Sequence, residues 1–250
     1  MRLALVTGAS RGIGRATALK LAQQGYRVAV NYLKRAEEAQ QVVAQIREQG
    51  GDAFAVQADI AEEAQVMALF QRLDAEAIPL GVLVNNAGIL FTQCRVEDLS
   101  AERLQRVFAT NVTGAFLCCR EAVKRMGTQH GGLGGSIINV SSAASRLGAP
   151  GEYVDYAASK GAMDSLTKGL SLEVAAQGIR VNSVRPGFIY TEMHADGGEP
   201  GRVDRVAATA GIIPMGRGGE AEEIAEAIVW LASEAASYIT GTFIDAAGGR

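Results

Sequence analysis

Tyr156 and Lys160 stand four residues apart in the run Tyr156-Ala157-Ala158-Ser159-Lys160. On a helix that spacing puts both side chains on one face, one turn apart. A free phenol titrates at ~10 and is a poor acid or base near neutral pH. An ammonium beside it favours phenolate and would draw the tyrosine toward the working range, which makes the pair a candidate acid/base. The surrounding proline-free stretch, Asp155 to Ala176, is predicted as a helix of about six turns.

A second set of residues points to a phosphate. Leu3 to Val6 is a short apolar run, predicted as a buried strand. Thr7-Gly8-Ala9-Ser10-Arg11-Gly12-Ile13-Gly14 follows it and opens a helix from Arg15 to Gln24. A strand, a glycine turn and a helix start together aim backbone N–H groups at an anion. Gly8 would permit the tight turn, Gly12 the close approach of a pyrophosphate, and Gly14 tight packing of helix on strand. The spacing is G-x-x-x-G-x-G rather than G-x-G-x-x-G, so the strand–loop–helix context carries the dinucleotide reading.

The elements that must position these groups alternate along the chain. Further strands are predicted at Arg27–Asn31, Ala53–Gln57, Val82–Asn85, Ser136–Val140, Ile179–Val184 and Thr240–Ile244. Helices lie between them at Arg35–Gln49, Glu62–Glu76 and Ser100–Met126, and at Glu220–Ser233 near the end. That alternation predicts an α/β fold: a single doubly wound Rossmann domain over residues 1–250, with no linker-like tract to divide it. Ligands of such sheets sit at the carboxyl ends of the strands. The small and polar residues there are therefore candidates: Thr7-Gly8, Asn31-Tyr32, Asp59-Ile60 and Asn85-Asn86-Ala87-Gly88. Ser141-Ser142, after the fifth strand, would face the same crevice as Tyr156. Asn111 is a poor helix former inside a long helix, which suggests a bend presenting it inward.

Composition limits the function classes. The net charge is −3, which gives no electrostatic case for nucleic acid or an anionic membrane. No apolar run approaches membrane-span length, and the chain runs straight into a strand, so cytoplasm is the expected compartment. Cys94, Cys118 and Cys119 form no metal-like spacing, and with two histidines, His130 and His194, no metal site is expected. No G-x-S-x-G elbow surrounds Ser142, which argues against a serine hydrolase.

With these segments in order, the chain resembles the short-chain dehydrogenase/reductase family over essentially its whole length. The resemblance rests on the glycine motif, Asn85-Asn86-Ala87-Gly88, Asn111, Ser142, Tyr156 with Lys160, and Pro186-Gly187 followed by Thr191. It implies a seven-stranded parallel sheet with helices on both faces, and a homotetramer. It also implies an oxidoreductase transferring hydride between a nicotinamide and a carbonyl or secondary alcohol. Tyr156 would be the general acid/base, Lys160 would lower its pKa and hold ribose hydroxyls, and Ser142 would bind the reacting oxygen. Asn111 would hold a water connecting Lys160 to solvent. Gly8, Ser10, Arg11, Gly12, Ile13 and Gly14 would hold the phosphates, with Asn31, Tyr32, Asp59, Ile60, Asn86, Ala87 and Gly88 on the adenosine side. Pro186, Gly187, Ile189 and Thr191 would serve the nicotinamide side. Ser142 and Tyr156 lie 14 apart, about a residue more than in close relatives. Ser141 therefore stays open as a second candidate, and Gly148–Tyr153 becomes a place where substrate preference could differ.

NADP(H) is expected over NAD(H): Arg11, Lys34 and Arg35 offer cations to a 2′-phosphate, and Tyr32 stands where NAD-preferring relatives carry an acid. Glu192 to Met215 is predicted as a mobile lid. Its polar, charge-balanced side chains suit a hydroxylated small molecule such as a sugar, with a 3-oxoacyl thioester as the main alternative. A nucleotide sensor without turnover is the alternative from another class, and it would not need the proton-transfer set.

Overall fold

The computed structural model describes residues 1–193, 206 and 209–250. Seven strands form one parallel sheet: β1 (Leu3–Val6), β2 (Arg27–Tyr32), β3 (Asp52–Gln57), β4 (Leu80–Asn85), β5 (Gly135–Val140), β6 (Ile179–Pro186) and β7 (Phe243–Ala246). Their order across the sheet is β3-β2-β1-β4-β5-β6-β7. The chain therefore builds outward from β1 in one direction and then crosses over to continue from β4. A crevice opens at the carboxyl ends of β1 and β4, where that direction reverses.

Side-chain alternation explains why both faces are covered. Ala4 and Val6 of β1 point into one apolar cluster, Leu3 and Leu5 into the other, and all four are fully buried. The first cluster is closed by α1 (Gly12–Gln23), α2 (Ala36–Glu48) and α8 (Ala221–Ala232), the second by α3 (Glu63–Asp74), α5 (Gly114–Met126) and α7 (Val154–Val174). Phe70 of α3 is among the largest fully buried side chains, and its burial contributes about 1.5–3 kcal/mol.

Three features differ from the sequence expectation. The helix predicted over Ser100–Met126 is interrupted. It comprises α4 (Ala101–Phe108), a π-turn (Ala109–Thr113) and then α5. A single-turn π-bulge inserts an extra residue without ending the helix, and periodicity alone does not reveal it. The last strand begins at Phe243 rather than Thr240, because Thr240 instead accepts the Val181 N–H through its hydroxyl. Gly248 and Gly249 adopt left-handed φ of 65° and 93° after the last strand. A short helix, α6 (Ala144–Leu147), was too brief to predict. Most of the predicted lid, with His194, Asp196, Glu199, Arg202, Asp204 and Arg205, lies outside the described residues.

Two polar devices set α7 against the sheet. Asn85 Nδ2 donates to Asn139 Oδ1 at 2.9 Å, Asn139 Nδ2 to the Thr167 hydroxyl at 2.8 Å, and that hydroxyl to the Met163 carbonyl at 2.9 Å. This buried chain locks β4, β5 and α7 in one register, since any slip would strand polar groups away from water. At the other end, Arg103 of α4 grips buried Asp155 with two bonds, at 2.7 and 3.2 Å. Asp155 lies in the first turn of α7, immediately before Tyr156, where the helix dipole also favours its charge.

Candidate active site

The glycine loop is shaped by close approaches that exclude side chains. Gly8 and Gly12 have φ of 61° and 52°, which glycine adopts without strain. A Cβ on Gly14 would lie 2.5 Å from Asn86 Nδ2 and 2.5 Å from the Gly8 carbonyl oxygen. Gly12 begins α1, and Arg11 before it makes no side-chain cap. The first turn of a 12-residue helix thus keeps N–H groups and the positive end of its dipole for a ligand, with no acidic residue in the turn to oppose an anion. Across the loop, the Thr191 methyl would be 3.3 Å from a Cβ on Gly12. These residues fit a dinucleotide pyrophosphate.

Several predicted contact residues are occupied in shaping this loop. Asn86 Nδ2 donates to the Thr7 and Gly8 carbonyls at 2.9 and 3.0 Å. The Thr7 hydroxyl accepts the Asn86 and Ala87 N–H groups, each at 3.0 Å, and so braces β1 to β4 at the crevice. Asn31 is 2 % exposed, its Oδ1 accepts the Gly8 N–H at 3.3 Å, and its amide donates to the Val56 and Ala58 carbonyls. Its side chain positions the loop and is spent within the protein. Tyr32 is half-buried at the end of β2. Asp59 accepts the Ala61 N–H at 2.9 Å. The Ile60 side chain is buried beneath Gly114 at the start of α5, which leaves only its backbone for a ligand.

The chemistry-bearing side chains meet in a cleft lined by Ser141, Ser142, Tyr156 and Lys160, together with Ile13, Asn86, Pro186, Gly187, Ile189 and Thr191. Ser142 Oγ accepts the Ala144 N–H at 3.1 Å and lies close enough to Tyr156 to act on its phenol. Ser141, the second candidate, turns the other way: it is 2 % exposed and donates to the Lys160 carbonyl at 3.2 Å. The structure therefore puts Ser142, not Ser141, against the phenol.

The electrostatics differ from the simple pairing argument. Burial pushes the Tyr156 phenol up to about 12, with the Ser142 hydrogen bond acting in the opposite sense. Burial also pulls Lys160 down to about 8, partly offset by the Asp164 carboxylate. Lys160 Nζ donates to the Val140 carbonyl at 2.8 Å and lies 5.5 Å from the centre of the Tyr156 ring. Burial sets the direction of both shifts, and the lowering expected from Lys160 is not among the causes acting on Tyr156.

Asn111 is fully buried in the π-turn. It accepts the Ile89 N–H at 2.8 Å and donates to the Ile89 carbonyl and the Ser159 hydroxyl at 2.9 and 3.0 Å. Its side chain thus ties the π-turn to the segment after β4 and to α7. A Cβ on Gly88 would touch Asn111 Oδ1 at 3.4 Å and Lys160 Nζ at 3.5 Å, so glycine keeps that approach open. The Gly148–Tyr153 loop reaches the cleft through Ala149, Glu152 and Tyr153. Ala149 adopts φ of 45°, a left-handed conformation that costs a non-glycine residue about 1–2 kcal/mol.

Sequence reasoning missed Thr7 as a brace and the Arg103–Asp155 clamp, whose partners are 52 residues apart. It also missed Phe188, Met193 and Arg250 in the cleft wall. The spacing of Thr7 directly before Gly8 was the one available signal; the others have none.

Comparison with known proteins agrees with this geometry. A family model described as Enoyl-(Acyl carrier protein) reductase matches residues 8–250. The uncharacterized oxidoreductase YgfF of Escherichia coli (strain K12) is 70% identical over 250 residues, all of both chains. A 3-oxoacyl-[acyl-carrier-protein] reductase, FabG, of Staphylococcus aureus is 41% identical over 98% of this chain and 96% of its own. Among solved structures, the angucycline C-6 ketoreductase LanV, with bound NADP, superposes with a TM-score of 0.89 at 37% identity, covering 99% of this chain and 95% of that one. The sheet order, the glycine loop and the Ser142–Tyr156–Lys160 cleft, together with these likenesses, show that the chain belongs to the short-chain dehydrogenase/reductase family of oxidoreductases.

Proposed function

We propose that the protein is an NADP(H)-preferring oxidoreductase that interconverts a small or medium carbonyl compound and its secondary alcohol. The observation that carries this reading is the placement of Ser142, Tyr156 and Lys160 in one cleft that Ile13 joins to the glycine loop. The bound nicotinamide supplies the hydride. Ser142 and Tyr156 offer two O–H donors that converge on one oxygen, stabilising negative charge as it develops on a carbonyl. Tyr156 then gives its proton to that oxygen. A phenol held near 12 is fully protonated at neutral pH, and an alkoxide is a far stronger base than a phenolate, so the transfer runs downhill in reduction. Lys160 and the Val140 carbonyl fix the wall behind the phenol, and Asn111 holds the Ile89 segment that closes it. Oxidation of added NADPH with aldoses, small ketones, diketones and acetoacetyl thioesters tests the reading; no turnover of any carbonyl would sink it.

A 3-oxoacyl thioester as substrate is the second reading, supported by the likeness to FabG. Strong turnover of the thioester with none of sugars or small polar carbonyls would favour it over a hydroxylated small molecule.

The cofactor preference rests on cations near the end of β2. Glu38 is held below the usual carboxylate range by its own backbone hydrogen bond and then by Arg35 and Arg11, and Arg35 Nη1 reaches Glu38 Oε1 at 3.0 Å. Arg35 pairs with Glu38, Arg11 acts on the same carboxylate more weakly, and no acid occupies the Tyr32 position. NADPH is expected to bind at least tenfold more tightly than NADH, about 1.4 kcal/mol. Arg11→Ala should erase much of that ratio in a calorimetric titration. Equal affinities in the parent protein, or an undiminished ratio in the variant, would refute the preference.

A homotetramer fits the outer surface. Leu104 and Phe108 of α4, Phe116 of α5 and Leu172 of α7 are exposed, Leu172 by 70%. Gly161 and Gly169 of α7 have open space where a Cβ would stand. Such a face of large apolar and small residues suits a partner helix. Light scattering should return about four times the 26.2 kDa chain mass; a monomer mass would exclude it. Among the described residues no helix is long and apolar enough to cross a membrane, and cytoplasm remains the proposed compartment.

A further inference from the structure

We propose that Arg250 makes the substrate cleft selective for carbonyl compounds that carry an anionic group, a carboxylate or phosphate, remote from the reacting carbonyl. This rests on the reading of the cleft as a carbonyl-reduction site. Arg250 lines the same cleft as Ser142 and Tyr156, and its guanidinium carbon lies 4.9 Å from the centre of the Phe188 ring, also in the cleft wall. A guanidinium on an aromatic face is held in plane while its N–H fork stays available for a carboxylate or phosphate.

The seat of Arg250 is built. Ala247, after β7, is buried against Gly187. The next two residues turn sharply through the left-handed glycines, and the Gly248 carbonyl accepts the Met215 N–H at 3.0 Å. A Cβ on Gly248 would lie 2.7 Å from the Ile213 side chain, and one on Gly249 would lie 3.1 Å from Pro214. Both glycines are needed for the turn. The Arg250 N–H then reaches the Ala247 carbonyl at 3.3 Å, and Arg146 Nη2 donates to the Arg250 carbonyl oxygen at 3.2 Å. Two backbone hydrogen bonds, one from the Arg146 side chain and the Phe188 ring thus hold one cation at the cleft wall.

Other arginines nearby are already paired with acids: Arg146 with Asp245 at 3.2 Å, and Arg185 with Asp164 at 2.9 Å. Among the described residues no carboxylate pairs with the Arg250 side chain. Glu152 is the acid in the cleft lining, and it opposes any second negative group on its own side. The arrangement favours a substrate with an anionic group directed at Arg250 over a neutral one.

The test sets an anionic compound against a neutral analogue with the same reacting carbonyl. Levulinate is compared with methyl levulinate, and acetoacetyl-coenzyme A with acetoacetyl-N-acetylcysteamine, each with NADPH and the full-length protein. The ratio of kcat/KM, anionic over neutral, is measured in the parent, Arg250→Ala and Arg250→Lys proteins. The ratio is expected to exceed one in the parent for at least one pair. It should fall tenfold or more in Arg250→Ala, mainly through KM, and be partly restored in Arg250→Lys. The first pair alone responding assigns the anion to a small acid, and the second alone to the phosphates of a carrier. A ratio unchanged by either substitution, or below one in the parent, overturns the proposal while leaving carbonyl reduction intact. Failure of the parent to reduce any of the four compounds overturns both.

Discussion

Tyr156→Phe is expected to lower kcat for carbonyl reduction by ~10²–10⁴-fold while leaving dinucleotide binding measurable. The substitution removes one oxygen and keeps the ring that fills the cleft wall, so the loss reports the proton and the hydrogen bond rather than packing. Ser142→Ala should cost ~10²–10³-fold, the range for losing one donor to a developing oxyanion. Ser141→Ala should cost much less, because that hydroxyl is turned onto the Lys160 carbonyl. The pH dependence has a defined sign. Tyr156 is raised to about 12, so its acid form persists across the neutral range and reduction does not lose its donor there. Oxidation needs the phenolate and should accelerate as pH rises. Lys160 is lowered to about 8, so its ammonium discharges as pH rises through that value. The kcat/KM for reduction should fall along that limb, and Lys160→Arg should remove the limb. Near-full kcat in Tyr156→Phe would assign the proton to another group.

Gly14→Ala is expected to weaken dinucleotide binding tenfold to a hundredfold, matching the ~1–3 kcal/mol that overpacking costs. The added methyl would sit 2.5 Å from both Asn86 Nδ2 and the Gly8 carbonyl oxygen. The amide could rotate away, but the carbonyl is backbone, so the loop itself must move. Moving it breaks the hydrogen bonds from Asn86 that tie β4 to the loop, and the helix N-terminus loses its aim. Titration of the purified variant with NADPH reads the effect directly; an unchanged Kd would mean that the loop does not hold the phosphates.

The fold was legible because each parallel strand is buried on both faces and therefore reads as an apolar run between turn residues. Leu3 to Val6 and Val82 to Asn85 are recognisable on that ground alone. Tyr156 and Lys160 were legible because a helix brings their fixed spacing onto one face. What stayed hidden depends on partners distant in the chain. Asn31 looked like a ligand residue at a strand end, but the Gly8 N–H and two carbonyls from the segment around β3 consume its amide. The extra residue of the π-turn leaves no periodic trace, although the asparagine it buries was the one oddity in that helix. The sign of the Tyr156 shift depends on burial, which spacing does not contain. Arg250 reaches the cleft only through a turn at two glycines that, in sequence, resemble a loose end.

The sheet order also dictates how this chain must assemble as it is synthesised. β1 pairs with β4, so the central ladder closes only after more than seventy intervening residues have been made. From then until β5 emerges, about fifty residues later, β4 has one edge without its partner. At ~5–20 residues per second that interval lasts roughly three to ten seconds. During it, the strand Leu80–Asn85, buried along its whole length in the finished protein, offers an apolar hydrogen-bonding edge to any neighbouring nascent chain. Growth of the sheet from its middle thus leaves its central strand with an unpaired edge for that part of synthesis.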